Sequence, residues 1–251
     1  MQFSISQPKL KELLQKLSVS FMFPSTVLFT KDGQLLSIQR EISGSAIRYA
    51  KFNSYYFEVI SHENDAVMID ANKALDLIKL VPSTESIEVE KKGDKLCFTD
   101  SEGTTKMYYE DPGKQLIEKL PFEIKDGVPY VGKGKIPLDT VFIMKLSDLK
   151  KATEYGKKLG TYYNFLVSQN SLSIEIGGTY NKRKLSISGV LLSGKPVNNY
   201  YTFGIREVAR TFRQDEIVVQ TAPNAPGWFS EASQEIGYEL ALMVTPFIEE
   251  G

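Results

Sequence analysis

The sequence predicts an α+β protein built from two tandem copies of one domain. Three observations carry this. A strand, a short helix and a strand closing on Lys-Asp-Gly fill Phe3 to Gly33, and the same order returns from Phe142 to Ser171, closing on Gln-Asn-Ser. A helix followed by a hairpin then opens at Ile69 in the first half and at Phe203 in the second. The chain has 251 residues, which suits one large domain or two of about 120 residues. A repeat of this kind constrains the fold before any local motif does.

The elements follow in order. The first helix covers Gln7 to Ser18, with Pro8 in its first turn and Leu10, Leu13, Leu14 and Leu17 on one stripe. Strands are expected at Thr26 to Thr30, Leu35 to Arg40, Ala46 to Phe52 and Tyr55 to Ile60. The second helix covers Asp70 to Leu80, places Ala71, Ala74, Leu75 and Ile78 inward, and ends before Pro82. Ile87 to Lys91 and Lys95 to Thr99 alternate across Lys92-Gly93-Asp94, a hairpin, and Thr104 to Glu110 adds a strand. From Asp111 to Pro137, eight of 27 residues are Pro or Gly, which predicts a connector rather than a core element. Its apolar residues, among them Leu116, Ile117, Leu120, Phe122, Ile124, Val128, Tyr130 and Val131, are expected on a surface.

The second half repeats the pattern. A helix from Ser147 to Leu159 has Ser147 as its cap and small inner residues Leu149, Ala152, Thr153 and Gly156. Strands are expected at Tyr162 to Ser168, Leu172 to Gly177 and Lys184 to Leu192. The last helix, Gly204 to Arg213, turns Ile205, Val208, Ala209 and Phe212 inward. A final hairpin joins Glu216 to Thr221 with Glu235 to Thr245, with a Pro-containing loop at Ala222 to Gly227. The domain limits that follow are 1–111, a connector at 112–137, and 138–251.

Composition excludes several classes. Apolar residues make up 42% and charged residues 24%, as in a globular protein rather than a disordered one. No apolar run reaches the roughly 18 residues of a membrane span. The start, Met1-Gln2-Phe3-Ser4-Ile5, lacks a basic stretch followed by an apolar core, so no secretory signal is expected. Cys97 is the one cysteine, so no internal disulfide forms and a reducing compartment is the simpler reading.

The charge is segregated. The four helices carry Lys9, Lys11, Lys16, Lys73, Lys79, Lys150, Lys151, Lys157, Lys158, Arg206, Arg210 and Arg213 on their outer faces. Against these stand Glu12, Asp70, Asp76, Asp148, Glu154 and Glu207, so the helices are net +6 in a chain of net charge -1. Such a distribution can present one positive face to a polyanion. The competing reading is the ordinary charged outer face of an amphipathic helix. No zinc finger or base-reading helix is present, so any DNA contact would be to phosphate and would carry no sequence information.

The chemistry of catalysis is not visible. His62 is the lone histidine, in the polar turn Ser61-His62-Glu63-Asn64-Asp65, and reads as a solvated turn residue. Adjacency of Ser, His and Asp in sequence does not make a triad. Cys97 lies in a strand and reads as a buried thiol. No Cys/His cluster has metal-ligand spacing, and no cofactor is expected. Gly177-Gly178 ends a strand and lacks the following Lys-Ser/Thr and helix of a phosphate loop. Glu249-Glu250 reads as a solvated tail.

These parts resemble the DNA sliding clamps, the family of proliferating-cell-nuclear-antigen-like rings and phage processivity clamps. Phe203-Gly204-Ile205-Arg206-Glu207-Val208 resembles the opening of a clamp's last helix. Ala222 to Glu239 resembles its Pro-containing hairpin, and Met243-Val244-Thr245-Pro246-Phe247-Ile248-Glu249-Glu250 its C-terminus. Asp70 to Glu90 resembles the helix, turn and Ile-x-Val strand of the first clamp domain. The resemblance covers nearly the whole chain and rests on element order more than on an invariant motif. The connector is longer, rich in Gly and Pro and of mixed charge rather than acidic, and the first helix keeps the family pattern in outline. The chain reads as a divergent member, with viral, plasmid and archaeal hosts all open.

The resemblance implies two tandem clamp domains, with antiparallel sheets outside and two helices per domain lining an inner face. It implies a non-enzymatic processivity factor, three copies closing into a ring around duplex DNA, with the twelve helix cations facing phosphate. Subunits would join between Thr104 to Glu110, through Thr104, Lys106 and Tyr108, and Arg183 to Val190, through Arg183, Leu185 and Ile187. A partner peptide would dock on Ile38, Ile42, Ile47, Ile124, Val128, Tyr130, Val244, Pro246 and Phe247. DNA polymerase and a clamp loader are the implied partners, no membrane is involved, and the location would be cytoplasmic on DNA, or nuclear in a eukaryotic host. A subunit of a heterotrimeric clamp, a monomeric polymerase accessory factor gripping DNA on one basic face, and an enzyme with a hidden site remain the alternatives.

Overall fold

A computed structural model of the chain describes residues 1–18, 25–31, 33–41, 44–61, 65–81, 86–112, 120–159, 162–178, 181–202, 204–231 and 238–247. The chain divides into two compact units. Unit 1 is Met1–Ile42, Arg48–Lys119 and Glu235–Leu240; unit 2 is Ser43–Ile47, Leu120–Gln234 and Ala241–Gly251. Among the described residues no helix is long and apolar enough to cross a membrane.

Unit 1 opens with β1 (Gln2–Ser6), α1 (Gln7–Leu17), β2 (Thr26–Lys31), β3 (Gln34–Arg40) and β4 (Ala46–Phe52), of which Ala46 and Ile47 are assigned to unit 2. It continues with β5 (Val59–Ser61), β6 (Ala66–Ile69), α2 (Ala71–Ile78), β7 (Ser86–Lys92), β8 (Lys95–Thr99) and β9 (Thr104–Tyr108). One sheet runs β5-β1-β7-β8-β9, and a second set of neighbours runs β4-β3-β2-β6. The leucine stripe of α1 is buried as its spacing dictates, with Leu10, Leu13, Leu14 and Leu17 at most 2% exposed. Asp70 caps α2, its Oδ1 accepting from the N–H groups of Asn72 at 3.0 Å and Lys73 at 3.1 Å. The side-chain amide of Gln7 donates to Ile78 O at 3.2 Å, tying α1 to the end of α2.

The C-terminal carbonyls of α1 need partners. Leu17 O accepts from Gln39 Nε2 at 2.7 Å and from Arg48 at 3.2 Å. Arg48, fully buried, also donates to Gln39 Oε1 at 2.8 Å, so a cation sits at the negative end of the helix dipole. The strand expected from Tyr55 starts later, at Val59. Asn53 is the reason: its Oδ1 accepts from Tyr55 N and its carbonyl from Tyr56 N, both at 3.0 Å, and together they close a turn.

Unit 2 contains β10 (Phe122–Lys125), β11 (Val128–Val131), β12 (Ile136–Pro137), β13 (Thr140–Lys145), α3 (Leu146–Leu159), β14 (Tyr162–Val167), β15 (Leu172–Gly177) and β16 (Lys182–Ile187). β17 (Gly189–Ser193), β18 (Val197–Tyr201), α4 (Gly204–Thr211), β19 (Glu216–Thr221), β20 (Gly227–Glu231) and β21 (Tyr238–Val244), of which Tyr238 to Leu240 are assigned to unit 1, follow. The strand orders are β10-β11-β12, β16-β15-β14-β18 and β17-β13-β19-β20-β21. An aromatic cluster fills the core: Phe165 lies 5.2 Å from Tyr201 and 6.0 Å from Phe229, and Tyr201 lies 5.8 Å from Phe229. Inside it the Tyr201 hydroxyl bonds Thr221 at 2.9 Å and accepts from Asn199 at 3.2 Å, and burial still pushes its pKa up to about 12.

Several expectations are corrected here. The connector carries a three-stranded meander, with Phe122 and Val131 buried and Phe122 edge-on to Trp228 at 5.0 Å. Its turns hold the glycines, while its strands bury apolar side chains. Ser147 does not cap α3, because the helix already begins at Leu146, whose N–H donates to Asp215 O at 2.8 Å. The strand expected at Lys184 to Leu192 is two strands in different sheets, parted at Ser188. Gly189 permits the switch: a Cβ there would lie 2.3 Å from Ile143 O. The final hairpin gains β20, which pairs with both β19 and β21.

Candidate nucleic-acid interface

The helix cations differ sharply in how they are held. On α1, Lys9 Nζ donates to Tyr55 O at 2.6 Å and lies 4.3 Å from the Tyr55 ring centre. Lys16 sits 3.3 Å from Glu12 and 3.8 Å over the Tyr238 ring, and Lys11 is half-buried. On α2, Lys79 pairs with Asp76 at 2.7 Å, while Lys73 is 79% exposed and only 3.9 Å from Asp70. On α3, Lys157 pairs with Glu154 at 2.6 Å. Lys150, Lys151 and Lys158 are exposed and make no ion pair among the described residues. On α4, Arg210 pairs with buried Glu207 at 2.7 Å, and Arg213 is exposed.

Arg206 behaves differently. Its guanidinium donates to Tyr163 Oη at 3.2 Å and to Gly156 O at 3.0 Å, joining α4 to α3 and β14. It is half-buried, its guanidinium taken up by these contacts within unit 2. The close packing depends on Gly156, where a Cβ would meet Tyr163 Oη at 2.1 Å.

The two strands expected at subunit contacts both lie at sheet ends. β9 is the last strand beyond β8, and β16 is the last beyond β15. Each therefore offers a row of backbone N–H and C=O groups to another strand. Along β9, Thr104 and Lys106 are exposed and Tyr108 is 70% exposed with Lys95 Nζ 5.0 Å over its ring. Along β16, Arg183 is exposed, Leu185 half-buried and Ile187 buried.

Solved structures with this architecture include proliferating cell nuclear antigens. A. fulgidus PCNA, solved with the C-terminal region of FEN-1, superposes with a TM-score of 0.69 at 14% identity over 100% of this chain and 99% of its own. PCNA from Thermococcus kodakaraensis gives 0.68 at 16% identity, over 98% and 100% of the two chains. The antigen from Entamoeba histolytica gives 0.69 at 13%, over 98% of each. The fold is that of a DNA sliding clamp. No family model and no curated protein matches the sequence.

Within this clamp fold the residues expected to dock a partner peptide separate by accessibility. Ile38 and Ile47 are 5% exposed and Val244 0%, so these three offer no side-chain surface. Ile124 is exposed, and Val128, Tyr130, Pro246 and Phe247 are half-buried. Phe247 stacks on Tyr162 at 5.9 Å and donates its N–H to Tyr200 O at 2.8 Å, which pins the tail to β18. Ile42, His62, Glu249 and Glu250 lie outside the described residues. Cys97 is buried in β8, and among the described residues no group of three His, Cys, Asp or Glu side chains could hold a metal.

One arrangement escaped the sequence reading. Tyr155, on α3, carries the Arg183 guanidinium of β16 at 4.0 Å from its ring centre. Strand alternation contained a signal for it. Arg183 opposes Ile176, which is fully buried, so Arg183 points to the core side of the sheet, not away from it.

Proposed function

We propose that the chain is a DNA sliding clamp, a processivity factor without enzymatic activity that encircles duplex DNA and tethers a DNA polymerase. The observation that carries the reading is the clamp fold over the full length of the chain. Three copies close a ring, β9 of one subunit pairing with β16 of the next, since two edge strands on one chain can make a head-to-tail contact that closes on itself. The exposed helix cations then meet phosphate weakly and without sequence preference, which suits a ring held by topology. A clamp loader places it, and partner proteins dock a short peptide near Ile124, Tyr130 and Phe247. That the A. fulgidus relative in fold is solved with a FEN-1 C-terminal region supports a peptide-docking role.

Light scattering of the purified chain tests the ring: the expected mass is three subunits. After loading, retention on circular DNA and loss from linear DNA completes the test. A monomeric mass at high concentration would remove the homotrimer and leave a subunit of a heteromeric ring. Stable binding of a monomer to linear DNA, with a steep salt dependence, would instead indicate a non-encircling accessory factor.

A further inference from the structure

Arg183 is a charged side chain on the inward face of an edge strand. It lies on the core side of its sheet, level with buried Ile176, and emerges at the sheet edge against α3. There the Arg183 guanidinium carbon lies 4.0 Å from the centre of the Tyr155 ring, on a side chain that remains exposed. Lys151 and Lys158 lie four residues before and three residues after Tyr155, so the helix sets one on either side of it. Both are exposed. Among the described residues neither acid of α3 forms an ion pair with this group. Asp148 accepts from Ser188 N at 2.8 Å, and Glu154 is held by Lys157 at 2.6 Å, with Lys158 acting on it only through longer-range charge. By contrast, Lys9, Lys16 and Lys79 are each engaged within unit 1.

We propose that Arg183, Lys151 and Lys158, arranged around Tyr155, form a phosphate-binding platform, and that the Arg183 side chain belongs to the DNA-facing surface while the backbone of β16 makes the subunit contact. A guanidinium pre-set by an aromatic face loses little freedom when it binds a phosphate in the two-pronged geometry that a lysine cannot offer. The platform extends the basic surface of α3 onto the edge strand β16. The proposal rests on the clamp reading for its ligand, the backbone of duplex DNA.

The test measures affinity of the full chain for a short duplex over a range of salt, with native mass followed in parallel. Arg183→Ala should lower the slope of log K against log salt by about 0.9 for each Arg183 engaged, with the mass unchanged. Tyr155→Phe should keep the wild-type slope because the ring remains, and Tyr155→Ala should lower it. Lys151→Glu with Lys158→Glu should lower it further, whereas Lys16→Glu and Lys79→Glu should have the smaller effect. A wild-type slope in Arg183→Ala, with a reduced slope in the double lysine variant, would overturn the role of Arg183 and leave the clamp reading standing. Loss of assembled mass in Arg183→Ala at an unchanged slope would return Arg183 to the subunit contact. A wild-type chain that neither assembles nor binds the duplex would end both readings.

Discussion

Asp65 sits between two ammonium groups, Lys91 Nζ at 2.7 Å and the Met1 amino group. Burial pushes its carboxyl pKa up, but the hydrogen bonds and charges of these two cations outweigh that and hold it below the usual range. Lys91 mirrors it, lowered by burial and raised more by Asp65. A depressed carboxylate stabilises the fold above its unfolded pKa and loses that contribution as pH falls through the folded value. Lys91 loses its share at the other end, as pH rises through its raised value. Asp65→Asn should therefore cost about 1 kcal/mol near neutral pH. The gap to wild type should close below about pH 4 in urea unfolding; an equal gap at both pH values would refute the assignment. Residue-level roles of this kind are hard to read in advance. Arg206 has helical spacing that places it outward, yet its partners lie 43 and 50 residues away, and nothing local to α4 announces them.

The helices were the most legible elements because their signal is local. The apolar stripes of α1 and α4 and the small inner face of α3, with Leu149, Ala152, Thr153 and Gly156 all buried, follow directly from a period of 3.6. Strand partners were less legible, since pairing is set by distant residues. The short β20, Gly-Trp-Phe-Ser-Glu, follows Pro226 and reads as loop, although it bridges β19 and β21. The meander β10-β11-β12 was hidden by its own turns: Asp126 and Lys135 have positive φ, and so do Gly127 and Gly132. What anchors it is Phe122 against Trp228. Phe122→Ala should cost about 3 kcal/mol. It should also shift the emission of Trp228, the chain's only tryptophan, while the far-ultraviolet circular dichroism stays near native. An unchanged emission maximum with wild-type stability would show that the meander is held by something else.

At the scale of the whole molecule, the repeat was legible because duplication preserves the order of elements. In unit 1 a strand leads into α1 and then β2 and β3; in unit 2, β13 leads into α3 and then β14 and β15. The basic helix faces were also legible as residue lists. Which cations stay available was not, because that depends on acids and rings brought in by folding, such as Tyr238 over Lys16. The fold class followed from the repeat together with the clamp-like segments, and full-length superposition on the PCNA structures supports it.

The division of the chain has a genetic consequence. Ser43–Ile47 belongs to unit 2 although it is encoded early, and Glu235–Leu240 belongs to unit 1 although it is encoded late. No single cut in the gene separates the units. Polypeptides split between Lys119 and Leu120 would each lack a piece of their own structure and should be poorly folded when expressed alone. Co-expressed, they should complement each other and recover native circular dichroism and co-purify as one species. Independent folding of either half would show that the exchanged segments are dispensable. Evolutionary recombination of one half with a foreign partner would meet the same barrier, so the two halves are expected to be inherited together.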